Sequence, residues 1–449
     1  MSDRTTLNPE RDLAGTPNAG LTMATLAFFA GLTSIVMYGA AGPTFKSALG
    51  LTGVQTGLLL SSPQVSQALL RIPFGAWVDE VGGKMPFLIL LGSTAVGMAG
   101  IVTVLFFYHP AHFGPHLYGF LLGFGLIGGA GGATFSVGIP QTSYWFPKDQ
   151  QGYALGVFAG GGNIGPGVIN YLLPVGIGLW GLTTAYAGWL SFVLAVTVLY
   201  AVFGIDSYYF QLRADGVAPD SAHEISRELG QEVFPSGDTW ESLRSSALNH
   251  RTWILVFLYS VSCGGGLMAL TAWFPTYWKA FHFQQEGTLW LAGLAASIYT
   301  IYGSLIRIVG GSLSDRYGGE AVATASFCTM AAGAGILSVA ATPLPAFFGM
   351  MVLGTGMGVA NAAVFELVPL YVPDAVGGAS GWIGGIGAGG TLVVLPLLGG
   401  FVDVYGRIGY ARGFLLFVLL GLICAGVSYF RVPPVPETSP RSPSEQPAH

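Results

Sequence analysis

Two arginines stand in apolar sequence, where a charge is expensive. Arg71 lies in "QALLRIPFGAWVDEVGG", residues 67–83, and Arg307 in "GSLIRIVGGSLSDRYGG", residues 303–319. A guanidinium is a planar fork of donors whose natural partners are flat oxyanions. Each arginine precedes an aspartate, Asp79 or Asp315, by eight residues. At about 1.5 Å per helical residue, that places it roughly 12 Å in from the turn and near the middle of a bilayer. A charge at that depth costs at least about 2.5–3.5 kcal/mol and calls for a cavity and a negative partner. Asp79, Glu80, Asp315, Glu320 and Asp374 read as loop residues. Glu366 alone falls at comparable depth, eight residues before Asp374. One carboxylate cannot neutralise two arginines, so the expected counter-ion is a substrate. No further charged cluster suits sugars, nucleotides or dicarboxylates, which favours a small, weakly hydrated monoanion.

The elements that must hold these residues are membrane helices. Of 449 residues 52% are hydrophobic and 9% charged, against about 25% charged in a soluble domain. The mean hydropathy is +0.61. Twelve apolar stretches are long enough to span: 18–40, 54–78, 86–108, 115–144, 151–175, 181–204, 252–277, 287–313, 321–341, 345–370, 377–402 and 410–431. They predict an all-α membrane protein. Its parts are a tail 1–17, a six-helix bundle 18–204, a central loop 205–251, a second bundle 252–431 and a Pro/Ser-rich, disordered tail 432–449. The loop's "HEISRELGQEVF" predicts a short amphipathic helix. With the N-terminus cytoplasmic, eleven basic residues face the cytoplasm, and Lys46, Lys279, Arg407 and Arg412 face outward. Both termini and the central loop are therefore expected inside a cytoplasmic membrane. The polar N-terminus carries no cleavable signal pattern.

The composition also narrows the chemistry. The net charge of −5 is spread thinly, and no basic block suggests nucleic acid. Cys263, Cys328 and Cys424 sit in apolar stretches and read as small buried hydrophobes. No nucleophile–base set, metal-ligand spacing or phosphate-binding loop is present, so neither an enzyme, a metal site, a cofactor nor ATP drive is expected.

The second half repeats the first in the same orientation. Arg71, Gly75, Asp79, Gly82 and Gly83 align with Arg307, Gly311, Asp315, Gly318 and Gly319 at a constant offset. "GYALGVFAGGGNIG", residues 152–165, resembles "GGASGWIGGIGAGG", residues 377–390. Two parallel six-helix halves are the plan of the major facilitator transporters, and the duplicated G-x-x-x-D-x-x-G turn resembles that superfamily's loop signature. That turn (Gly75, Asp79, Gly311, Asp315) is expected to serve gating contacts at helix ends rather than cargo.

More specifically, the chain resembles the nitrate/nitrite porters, the NarK-type branch of that superfamily. The resemblance rests on "ALLRIPF", "TSYWFPKDQQGYALGVFAGGGNIG" and "GTGMGVANAAVFELVP" leading into "GIGAGG". It implies secondary transport of nitrate or nitrite, with the anion held by Arg71 and Arg307. Asn163, Phe135 and Tyr259 are implied as pocket contacts. Two positions depart from the family pattern: Thr134 stands where Asn is usual, and Cys263 where an aromatic is usual. Glu366 is a candidate proton carrier, a fixed partner of Arg307 or Arg71, or a residue facing a water-filled vestibule, so nitrate/nitrite antiport and proton symport both stay open. So do transport of another small monoanion, such as formate or oxalate, and a non-transporting anion sensor. A monomer in the lipid bilayer is expected.

Overall fold

Where the backbone has no water to bond with, it must bond to itself, and this chain does so with helices. The computed structural model describes residues 13–235 and 239–431. The expected 432–449 tail and most of the 1–17 tail lie outside the described residues. The helical spans follow the expected order. Those of the first half are Pro17–Val36, Gly53–Val81, Lys84–Tyr108, Pro115–Ser143, Gln151–Asn163 continued by Gly165–Trp180, and Leu182–Phe203. Those of the second are His250–His282, Leu289–Tyr317, Gly319–Val339, Pro343–Tyr371, Val376–Ile386 continued to Thr391–Tyr405, and Leu415–Arg431. Nine helical stretches among the described residues are long and apolar enough by themselves to cross a membrane. The fold is all-α with twelve spans.

Local chemistry sets the boundaries. Gly181, at φ +81°, separates spans five and six where the sequence left the break least defined. The duplicated turn has a backbone cause. Gly82 (φ +81°) ends span two, and Gly318 (φ +85°) ends span eight. A side chain at either position would strain the left-handed backbone. Asp206, just after span six, accepts from the Lys84 N–H at 2.8 Å and packs beside Gly82. Burial pushes its carboxyl above the usual carboxylate range, against the lowering effect of the backbone N–H bonds it accepts. The central segment is helical at Tyr208–Ala214, Pro219–Glu228 and Thr239–Ala247. The last of these lies over the start of span eleven, where Trp382 Nε1 donates to the Leu243 carbonyl at 2.8 Å. Span seven widens into a π-helix over Ser260–Met268, which carries Cys263 and three glycines. Such widened turns recur at functional sites.

Glycine lets helices touch backbone to backbone, the usual basis of packing where lipid offers no hydrophobic drive. Within the first half, Gly129 lies against the backbone of Pro63. Between the halves, Gly53 lies against Gly399, Gly57 against Leu395, and Gly293 against Asn170. These cross-half approaches cluster at the face opposite the central segment, so that face is sealed. Cys424 and Cys263 are buried, whereas Cys328 is exposed on its helix, unlike the expectation for it.

Gly129→Val is expected to cost about 1–3 kcal/mol or more by overpacking. It should lower the melting temperature of the detergent-solubilised protein, while Gly178→Val, with open space at its Cβ position, should leave it unchanged. Equal melting temperatures would contradict this account of the packing.

Candidate anion-binding site

The pseudo-repeat places the two arginines at equal depth. Arg71 is ten residues before Val81, the last residue of its helix, and Arg307 is ten before Tyr317. That is about 15 Å of helix in each case. Arg71 is 3% exposed, and Arg307 is half-buried.

Arg71 reaches across the interface between the halves. Its Nη1 donates to the Gly384 carbonyl of span eleven at 2.8 Å. Its guanidinium carbon stands 5.1 Å from the centroid of the Phe135 ring, a cation–π contact. Tyr259 and Cys263 lie close enough to the guanidinium to act on its charge. Arg307 is close enough for its charge to act on both Arg71 and Tyr259. The Arg71 Nε has no hydrogen-bond partner. Among the described residues, the charged or titratable groups acting on Arg71 are Tyr259, Cys263 and Arg307, with no carboxylate between them. Two like charges from equivalent helices thus lie within electrostatic reach of one another.

Aromatic packing holds the walls. Phe135 packs at 5.5 Å on Phe28, which stacks at 4.8 Å on Phe158. Across the interface, Tyr259 meets Phe365 edge-on at 4.9 Å. The structure therefore brings together Arg71, Phe135, Tyr259 and Arg307. Asn163 is half-buried, and its Nδ2 donates to the Ala159 carbonyl one turn back at 2.7 Å. That bond ties it to its own helix rather than to an arginine.

Glu366 lies elsewhere. Its neighbours are Ser314, Asp315 and Glu320, at the face carrying the central segment. It is five residues before Tyr371, where the helix ends, so it is only about 7.5 Å in. Counting back from Asp374 overstates its depth, because residues 372–375 form a turn rather than a continuation of the helix. Its Oε2 has no hydrogen-bond partner. The Tyr371 hydroxyl donates to Glu320 at 2.7 Å, and Arg251 lies over the Tyr371 ring at 5.3 Å. In the turn motif, Asp79 accepts from the Tyr144 hydroxyl of its own half. Gly75 packs near Ser136, and Gly311 has open space at its Cβ position.

Several members of the neighbourhood were not legible as such. Gly384 contributes a backbone carbonyl, which no side-chain motif announces. Gln67 sits one turn before Arg71, fully buried, with Nε2 donating to the Met268 sulfur at 3.2 Å and Oε1 unpaired. Asn361, one turn before Phe365, is fully buried with both polar side-chain atoms unpaired. Unpaired buried groups cost about 1–3 kcal/mol each. A polar residue inside an apolar span was the available signal for both.

Tyr259→Phe removes the hydroxyl beside Arg71 and should weaken small-oxyanion binding about tenfold, the effect of losing roughly 1.5 kcal/mol from a bond to a charged group. Titration calorimetry on the purified protein checks this, and unchanged affinity would show that the hydroxyl does not support the site.

The Major Facilitator Superfamily profile matches residues 23–390 and 288–449. The "Probable nitrate/nitrite antiporter NarK1" of Thermus thermophilus is 30% identical over 429 residues, covering 90% of this chain and 89% of that protein. The "Probable nitrate/nitrite transporter NarK2" of Mycobacterium tuberculosis is 28% identical, covering 94% of this chain and 99% of that protein. Among solved structures, the xylose transporter XylE from E. coli superposes with a TM-score of 0.68 at 15% identity, covering 94% of this chain and 98% of that one. That likeness speaks to the fold alone.

Proposed function

The chain belongs to the major facilitator superfamily and, within it, to the nitrate/nitrite porter family, and from that premise we propose that it carries nitrate and nitrite across a membrane by alternating access. It is a multi-pass membrane transporter and not an enzyme. The anion sits between Arg71 and Arg307, with Phe135 and Tyr259 on its flanks. The central segment faces the cytoplasm of a cytoplasmic membrane, and the sealed face is the outer one.

Supporting this reading above all is the meeting of two guanidinium groups from equivalent helices with no carboxylate among the groups acting on Arg71. A flat monoanion supplies the missing charge and takes forked hydrogen bonds from both sides. When the site is empty, the two arginines repel, which disfavours the closed, unloaded state needed for a return without cargo. A second anion relieves this, so exchange of nitrate for nitrite is the working cycle.

Proton coupling is a second reading, favoured by one observation. Glu366 is half-buried beside two other carboxylates, with an unpaired oxygen. A proton taken up there removes one of three neighbouring negative charges and leaves Asp315 and Glu320 charged. Asn163 gives one amide hydrogen to Ala159, which leaves its second N–H and its carbonyl oxygen to contribute to the pocket.

In proteoliposomes, labelled nitrate uptake is expected to require internal nitrite and to resist competition by formate. Arg71→Lys and Arg307→Lys should each lower nitrate affinity about ten- to hundredfold, because the ammonium lacks the fork and roughly 1.5–3 kcal/mol of charge-assisted bonding is lost. Near-normal affinity in either variant would contradict the two-arginine site. Glu366→Gln should leave nitrite-driven exchange intact. If it abolishes uptake driven by a pH gradient into vesicles without nitrite, the proton reading takes precedence over exchange.

A further inference from the structure

The first turn of a helix leaves N–H groups that need acceptors, and span two solves this partly with its own residues. Thr52 Oγ1 accepts from the Gln55 N–H at 3.1 Å, and Gln55 Oε1 accepts from the Thr52 N–H at 3.0 Å. This reciprocal box leaves the N–H groups of Gly53 and Val54 over. Both donate to the carboxylate of Asp403, Gly53 to Oδ1 and Val54 to Oδ2, the latter at 2.8 Å. Asp403 belongs to span eleven, in the other half of the molecule.

We infer that Asp403 is a positioning residue that ties span two to span eleven at the outer face, and that each transport cycle breaks and remakes this tie. The inference rests on the alternating-access reading and on the orientation proposed with it. The carboxylate meets two N–H groups at the positive end of a helix, a charge-assisted, two-pronged contact. Directly beneath it, Gly53 lies against Gly399 and Gly57 against Leu395, so the same pair of helices is in backbone contact. Further along the same pair, Arg71 donates to Gly384. Asp403 therefore fixes one end of the register in which Arg71 addresses span eleven. Lys46 Nζ and the Tyr410 hydroxyl, 3.0 Å apart, add a second cross-half contact at this face. Opening the outer side requires the two halves to part there, spans two and eleven among them, and every one of these contacts crosses between the halves. Asp403 is exposed, so water is at hand to replace it, which suits a contact that must be reversible.

A native thiol reports the opening. Cys263 is buried beside Tyr259 at the arginine site, so a membrane-impermeant methanethiosulfonate added outside reaches it only when the outer side opens. In a protein with Cys328→Ser and Cys424→Ala, Asp403→Ala should raise the labelling rate about fivefold or more, the population shift expected from losing one charge-assisted tie. Val54→Pro removes one donor at a helix position that tolerates proline, and it should raise the rate by less. Asp403→Glu, which keeps the carboxylate, should stay closer to the parent. In nitrate/nitrite exchange, Asp403→Ala should change kcat and lower the apparent KM for external nitrate in step with the larger outward-open population. Unchanged labelling in both Asp403→Ala and Val54→Pro would overturn the tie, as would a raised KM at constant labelling. If the parent protein moves no nitrate, the transport reading fails, while the labelling still decides whether Asp403 holds the two helices together.

Discussion

A guanidinium at the middle of a membrane has to be neutralised, and in this chain two of them must be neutralised at once. That constraint orders the rest of the structure. It requires a cavity between helices rather than a lipid-facing surface, and Arg71 is accordingly 3% exposed and bonded across the interface to Gly384. It requires walls that do not compete for the charge, and Phe135 offers a ring face while Tyr259 offers one hydroxyl. With no carboxylate among the groups acting on Arg71, the site favours a ligand of opposite sign.

The surrounding fold makes such a site workable by keeping two halves in contact without fusing them. Inside each half, glycine permits backbone contact of the kind seen between Gly129 and Pro63. Between halves, the same chemistry at Gly53, Gly57 and Gly293 closes the face opposite the central segment. Close packing of this kind is strong when formed and has no side-chain interlock to undo, which suits surfaces that separate and return.

Different physical signals made different parts legible from sequence. The arginines were legible because a charge in an apolar run is conspicuous and occurs twice at one offset. The duplicated turn was legible because a left-handed backbone selects glycine, at Gly82 and Gly318 alike. Phe135 and Tyr259 could be named only through family resemblance, since an aromatic in an apolar helix carries no signal of its own. The Gly384 carbonyl and the Asp403 contact were not legible at all. The first is a backbone group, and the second joins residues far apart in the chain whose meeting depends on how the halves dock. Glu366 illustrates a separate limit. Its depth was counted from an aspartate beyond the helix end, and the helix in fact stops at Tyr371. The carboxylate therefore belongs to the face carrying the central segment, beside Asp315 and Glu320, and not to the arginine pair.

The central claim is that the missing negative charge between Arg71 and Arg307 is a bound anion. An experimental structure of the protein determined in nitrate tests it most directly. Density for a flat anion is expected to bridge the two guanidinium groups, beside the Phe135 ring and the Tyr259 hydroxyl. A carboxylate side chain filling that space, or nitrate bound away from both arginines, would contradict it.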